Sequence, residues 1–209
     1  DRQGATIDNL IDFTPELRAE AIDITRRYVL GPVFTPPSIR GPGPNDPLGT
    51  IQLPGSVGGA DWQGAAFDPD TGWLYVPSIT APFVADLIEG DPARTNFRYM
   101  RGARRWIGGP RGLPLFKPPY GRVTAIDLNS GEHRWMVANG DGPRDHPAIA
   151  HLDLPPLALG RSNARRISQT LVFLGDGADV GGAFLPRGSG SRMFRAYDKA
   201  TGDRVWDME

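Results

Sequence analysis

The sequence predicts an all-β repeat protein, and three observations predict it. A short phrase occurs three times, as Phe67-Asp68-Pro69-Asp70-Thr71-Gly72-Trp73-Leu74-Tyr75, as Ala125-Ile126-Asp127-Leu128-Asn129-Ser130-Gly131-Glu132-His133-Arg134-Trp135, and as Ala196-Tyr197-Asp198-Lys199-Ala200-Thr201-Gly202-Asp203-Arg204-Val205-Trp206. Apolar β-formers flank the turn in every copy. Glycine and proline, 27 and 21 of 209 residues, punctuate short apolar runs instead of filling featureless stretches.

In each copy an Asp precedes a Gly by four positions, which reads as strand, tight turn, strand. The Gly supplies the positive φ that such a turn needs, and the Asp carboxylate can hold the turn's amides. Hairpins are therefore expected near 65–77, 122–137 and 193–207. The copies lie 59 and 71 positions apart, counted from Asp68 to Asp127 and from Asp127 to Asp198. A four-stranded propeller blade needs roughly 40–50 residues, so each interval has room for a blade and a loop insertion. About three blades' worth of a β-propeller is the expectation, each hairpin forming the outer part of one blade. Trp135 and Trp206 follow their Asp by eight positions, at a strand end. An indole there can pack between neighbouring blades and bury about 150–250 Å². The first copy departs from the pattern, with Val76 at that place.

One helix is expected, over 14–30. Thr14-Pro15-Glu16 offers an N-cap, a proline at the first helical position and an acid in the first turn. Leu17, Ala21, Ile24 and Tyr28 keep helical spacing, and Gly31-Pro32 is the stop. Residues 34–64 read as a Pro/Gly-rich loop region. Residues 81–120, rich in Arg and Pro, read as a long insertion of little periodicity covering a rim or a cavity mouth. A further Pro-rich loop spans 139–166, Thr170–Gly175 reads as a buried strand, and a Gly-rich loop over 175–192 leads to the third hairpin.

The apolar fraction of 39% and charged fraction of 22% are those of an ordinary globular protein. A formal charge of -1 gives no reason to expect nucleic acid or an anionic membrane as partner. The absence of cysteine excludes disulfides, thiolate metal sites and a thiol nucleophile. No stretch approaches the ~20 apolar residues of a membrane span, and no secretory leader is visible. The chain opens on Asp1 and closes three residues past Trp206, so a fragment of a longer polypeptide is expected.

The pattern Ala-x-Asp-x-x-Thr/Ser-Gly-x-x-x-Trp resembles the tryptophan docking motif of pyrroloquinoline-quinone (PQQ) dehydrogenases. Phe34-Thr35-Pro36-Pro37-Ser38, followed by Gly49-Thr50, Pro54-Gly55 and Gly58-Gly59-Ala60-Asp61-Trp62-Gln63-Gly64-Ala65-Ala66-Phe67-Asp68-Pro69, is similar to the C-terminal half of the glucose-dehydrogenase-like branch. The ending Met193-Phe194-Arg195-Ala196-Tyr197-Asp198-Lys199-Ala200-Thr201-Gly202 is similar to the penultimate part of the same branch. The resemblance covers essentially the whole chain. It implies part of an eight-bladed quinoprotein propeller with PQQ on the central axis beside calcium or magnesium, and a sugar or alcohol oxidised by hydride transfer to the quinone. It implies a quinone or cytochrome as electron acceptor and a periplasmic location, or the outer face of the cytoplasmic membrane, with any membrane association through segments absent here. It places the catalytic base and the metal ligands upstream, so no residue of this chain is assigned to either, and the piece alone is expected to be inactive.

The candidates for cofactor contact are Asp61, Trp62 and Gln63. In related alcohol dehydrogenases the residue after the matching Trp is an Asn that reaches the quinone; Gln63 keeps the amide donor on a longer arm. The bland reading is a tight turn with Trp62 in the core and Asp61 capping it. His146 and His151, with Asp145 and Asp153 nearby, could hold a metal, though a solvated loop explains them as well. Arg101, Arg104, Arg105 and Arg111 could meet an anion, or simply be solvated. Gly175-Asp176-Gly177 lacks the following helix of a phosphate loop. A second function remains open, a non-catalytic repeat propeller serving as a scaffold or binding module. The Phe34–Ser38 and Gly58–Gly64 segments favour the enzyme, because a scaffold needs only the repeats.

Overall fold

The computed structural model describes residues 3–56, 58–60, 64–102, 105–158, 163–176 and 191–209. In chain order its strands are β1 (Tyr28–Val29), β2 (Ser38–Ile39), β3 (Gly49–Gln52), β4 (Ala66–Asp68), β5 (Trp73–Ile79), β6 (Phe83–Glu89), β7 (Tyr99–Arg101), β8 (Arg105–Trp106), β9 (Gly121–Asp127), β10 (His133–Ala138), β11 (Asn163–Ile167), β12 (Leu171–Gly175), β13 (Phe194–Asp198) and β14 (Arg204–Met208). They divide between two compact units, Asp1–Val57 with Ala81–Lys117, and Gly58–Thr80 with Pro118–Glu209.

The first unit holds the helix α1, Pro15–Thr25. Thr14 caps it by accepting the Leu17 amide at 3.3 Å, and Leu17, Ala21 and Thr25 form its buried face. The expected span to residue 30 is corrected. The Arg26 amide closes onto the Asp23 carbonyl at 3.2 Å, and Tyr28–Val29 pair in parallel with Gly49–Thr50 instead of continuing the coil. The 81–120 segment is also more regular than its composition suggested. Phe83–Glu89 is the spine of a six-stranded sheet. Its first half pairs with β3 and β8, and its second half with β2 and β7. The loop expected over 34–64 accordingly contributes β2 and β3. Asp86, buried on β6, is matched by Arg40 Nε at 2.8 Å.

The second unit consists of two antiparallel four-stranded meanders, β4-β5-β9-β10 and β11-β12-β13-β14. All three repeated phrases fold as hairpins, but not one to a sheet as expected. The first two share a sheet, because β5 pairs with β9 over its full length, from Trp73 opposite Asp127 to Ile79 opposite Gly121. The chain that forms β6 to β8 is inserted between those neighbours. Ala66, Tyr75, Val123 and Ala125 of one sheet meet Val172, Leu174 and Tyr197 of the other in a single buried cluster. Each large apolar member adds about 1.5–3 kcal/mol relative to exposure.

The three turns share one construction. The carboxylate at the first position accepts turn amides: Asp68 from Asp70 (3.2 Å), Asp127 from Asn129 (2.9 Å), and Asp198 from Ala200 (2.8 Å) and Thr201 (3.0 Å). The closing glycines Gly72, Gly131 and Gly202 lie at φ 74, 77 and 79°, and each donates its amide back to the Asp carbonyl.

The third turn does more, because it docks the first sheet. The Trp135 indole N–H donates to the Lys199 carbonyl at 2.9 Å, and the Tyr75 hydroxyl donates to the same oxygen at 3.4 Å. A Cβ on Gly202 would stand 2.8 Å from the indole ring of Trp135. The Lys199 ammonium crosses back to Asp68 at 2.5 Å, with both side chains buried. Burial pushes the Asp68 carboxyl up, but hydrogen bonds from Lys199, Thr71 and the Asp70 amide outweigh it and hold it below the ordinary value. Trp206, at the corresponding place on β14, is 44% exposed.

Two outcomes follow from this docking. Gly131 and Gly202 share a backbone conformation, yet among the described residues nothing lies within 4 Å of a Cβ on Gly131. Gly131→Ala is expected to cost about 1 kcal/mol of backbone strain, whereas Gly202→Ala adds an overlap with Trp135 and is expected to cost about 2–3 kcal/mol more; urea unfolding of the two variants measures the gap. Because the Asp68 carboxyl is depressed in the folded state, its contribution is complete above the unfolded carboxyl value of about 4 and is lost as pH falls through the folded one. The stability difference between wild type and Asp68→Asn, about 3 kcal/mol at pH 7 for breaking a buried pair, is expected to shrink steadily when unfolding is followed down to pH 3.

Candidate functional site

The edge of the second unit opposite these turns carries its polar interior. β5 ends there at Ile79, whose amide donates to the Gly59 carbonyl at 2.8 Å. Gly121, opposite Ile79, accepts the Asn139 amide at 3.3 Å. The sheet edge thus runs from Gly59 through Ile79 and Gly121 to Asn139. Asp61, Trp62 and Gln63, expected at the cofactor, lie outside the described residues. Their flanks are placed: Gly59 is tied to the end of β5, and among the described residues nothing lies within 4 Å of a Cβ on Gly64.

A buried network continues this edge into the neighbouring sheet. Asp176, directly after β12, receives Arg195 Nη1, the Asn139 amide Nδ2 at 3.1 Å and the Ser191 hydroxyl. Arg195 and Asp176 side chains are each 1% exposed. Arg195 also faces a second carboxylate, with Nη2 3.6 Å from Asp141 Oδ2. The Tyr197 hydroxyl donates to Asn139 Oδ1 at 2.7 Å. Burial, opposed in part by Arg195 and reinforced by Asp176, pushes the Tyr197 phenol up to about 12, so it remains a donor at neutral pH. Both ends of the Asn139 amide are therefore engaged.

Arg122, on the same edge, is buried and donates Nη2 to Thr80 Oγ1 at 2.5 Å; burial lowers its value from the ordinary one. Of the other residues singled out by sequence, Arg111 is held by Glu20 in a paired contact with Nη2 at 2.6 Å, and Arg101 is exposed on β7. Arg104 lies outside the described residues. His146 accepts the Ala148 amide on Nδ1 at 3.2 Å, which occupies that ligand position, and His151 is exposed. Sequence reasoning missed the Asn139–Asp176–Arg195–Tyr197 network. Its members are spread over 59 positions, and only Arg195, set between Phe194 and Ala196 in a strand, could have signalled it.

The model of the glucose/ethanol/alcohol dehydrogenase β-propeller domain, of the PQQ class, matches residues 1–209. The chain belongs to this family. Quinoprotein glucose dehydrogenase A of Acinetobacter calcoaceticus is 24% identical over 191 residues, covering 84% of this chain and 21% of that protein. Quinoprotein glucose dehydrogenase of Gluconobacter oxydans (strain 621H) is 28% identical, covering 87% of this chain and 23% of the relative. The glycerol dehydrogenase large subunit of Gluconobacter thailandicus is 27% identical, covering 83% and 25%. This PQQ propeller domain spans about a fifth to a quarter of the length of these curated relatives.

The network has a direct thermodynamic signature. Tyr197→Phe leaves Asn139 Oδ1 without its buried donor and is expected to cost about 1–3 kcal/mol. Asp176→Ala leaves the buried Arg195 guanidinium with only the looser Asp141 contact and is expected to cost about 3 kcal/mol. Unfolding of both variants at neutral pH measures the order.

Proposed function

We propose that the protein carrying this domain is a PQQ-dependent dehydrogenase that oxidises a polyhydroxylated sugar or alcohol and passes the electrons to a quinone or a cytochrome. The observation that carries this reading is the family match along all 209 residues. The relatives named above act, by their names, on glucose and glycerol, which favours a substrate with several hydroxyl groups. Calcium or magnesium beside the cofactor and a periplasmic location belong to the same reading, as the family resemblance implies.

When bound, the quinone supplies the two-electron acceptor for the alcohol's hydride. The part assigned to this chain is binding and orientation at the edge defined by Gly59, Ile79, Gly121 and Asn139. Asp61, Trp62 and Gln63 follow Gly59 on the chain, with Trp62 suited to stack on a flat ring system and Gln63 to donate an amide N–H to an anionic oxygen. The described flanks fit such a ligand. Gly59 is anchored by its carbonyl, and at Gly64 no described residue blocks close approach of the backbone. The catalytic base and the metal ligands are assigned to other parts of the whole protein.

Titration of the quinone-free full-length protein with PQQ, followed by quenching of tryptophan fluorescence or by equilibrium dialysis, tests the reading. Trp62→Ala and Gln63→Ala are expected to weaken quinone binding about tenfold or more, the loss of one stacking or hydrogen-bonding contact. Wild-type affinity in both variants would remove these residues from the cofactor, and no quinone binding by the wild-type protein would remove the dehydrogenase reading.

A further inference from the structure

We propose that Asp141 binds hydroxyl groups of the substrate and that Arg195 is the positioning residue behind it; the choice of a polyhydroxylated ligand rests on the dehydrogenase reading above. Asp141 leaves the sheet edge two residues beyond Asn139, whose amide is tied to Gly121 and so, across the ladder, to Ile79 and Gly59. It therefore emerges at the edge from which the chain continues to Asp61, Trp62 and Gln63.

Its presentation is fixed by more contacts than a solvated loop requires. Leu157 donates its amide to the Asp141 carbonyl at 2.9 Å, and Ala158 donates to the Gly140 carbonyl at 3.1 Å. Gly140 and Gly142, on either side, lie at φ 90 and 71°. A Cβ on Gly142 would stand 2.6 Å from the Ala158 carbonyl, so the path through this turn is restricted to glycine. Behind the carboxylate lies the wholly buried Arg195 guanidinium, itself fixed by Asp176.

The charges make Asp141 more than a structural partner. Asp176 alone neutralises Arg195, so the trio carries one negative charge in excess, and Asp141 is its exposed member with 47% of the side chain accessible. At 3.6 Å the Arg195 contact is an ion pair looser than a hydrogen bond. Among the described residues the Asp141 carboxylate accepts no hydrogen bond, which leaves its oxygens open to donors. A carboxylate takes up to about four donors, and neighbouring hydroxyls of a polyol supply two at once in charge-assisted bonds. Arg195 limits the carboxylate's rotation, so less freedom is lost when substrate binds.

The test uses the full-length protein with and without PQQ and a panel of glucose, glycerol and sorbitol. For the panel member that the wild type oxidises best, Asp141→Asn is expected to raise KM about tenfold with kcat within about twofold, the mark of lost uniform binding. Arg195→Lys, which keeps the charge but loses the fork, is expected to raise KM less, and to add nothing in the Asp141→Asn background. Unchanged KM in Asp141→Asn overturns the proposal, and so does a fall in kcat and PQQ affinity with KM unmoved. Saturation-transfer NMR of the same panel on the quinone-free protein gives a readout independent of turnover. Transfer to the wild type that is lost in Asp141→Asn supports the site, whereas equal transfer in both, or none in the wild type, overturns it. Failure of the wild type to bind PQQ sinks the dehydrogenase reading, and the NMR comparison then decides the role of Asp141 by itself.

Discussion

The second unit depends on one residue, Lys199, used at both ends. Its carbonyl accepts the Trp135 indole N–H and the Tyr75 hydroxyl, and its ammonium reaches the buried Asp68. Two four-stranded sheets could slide on an apolar interface, because hydrophobic burial is non-directional. Directional bonds from three strands of one sheet, β4, β5 and β10, to a single turn of the other remove that freedom. The polar edge at the far end then inherits its alignment. Asn139 can meet Asp176 and Tyr197 only if β10 and β13 are in this register.

The hairpins and the first turns of the helix were legible in the sequence because they are local. Asp and Gly four apart specify a turn wherever they occur between β-formers, and Thr14-Pro15-Glu16 specifies a helix start. What was not legible is long-range. Nothing near Phe67 or Trp135 states that their hairpins share a sheet, since the pairing of β5 with β9 spans an insertion that itself holds strands. The Arg and Pro content of 81–120 concealed β6, although Phe83-Val84-Ala85-Asp86-Leu87-Ile88 has the apolar character of a buried strand. Tyr28 kept helical spacing yet lies in a strand, because pairing with Gly49 outweighs a weak local preference.

The site divides in the same way. The glycine-rich segment around Asp61–Gln63 drew attention through composition and resemblance, and the structure fixes its flanks at Gly59 and Gly64. Asp176 drew attention only as part of a glycine-flanked loop, and nothing in the sequence joined it to Asn139, Arg195 and Tyr197. Burial gives the cluster its meaning: a guanidinium with 1% exposure needs a carboxylate, and here it faces two. One is consumed in holding the sheets, and the other stands half in solvent.

The contact of Trp135 with Gly202 has a consequence for how such repeats diverge. The indole of one hairpin rests on the turn of a hairpin in the neighbouring sheet, so the two positions form a single packing unit split across the chain. A copy of the third repeat in place of the second would keep this contact, since Trp206 stands where Trp135 does and every copy closes on glycine, whereas a copy of the first would put Val76 in place of the indole. Repeats that look interchangeable by eye are therefore not equivalent, because only a copy that carries the tryptophan can dock on this turn through an indole.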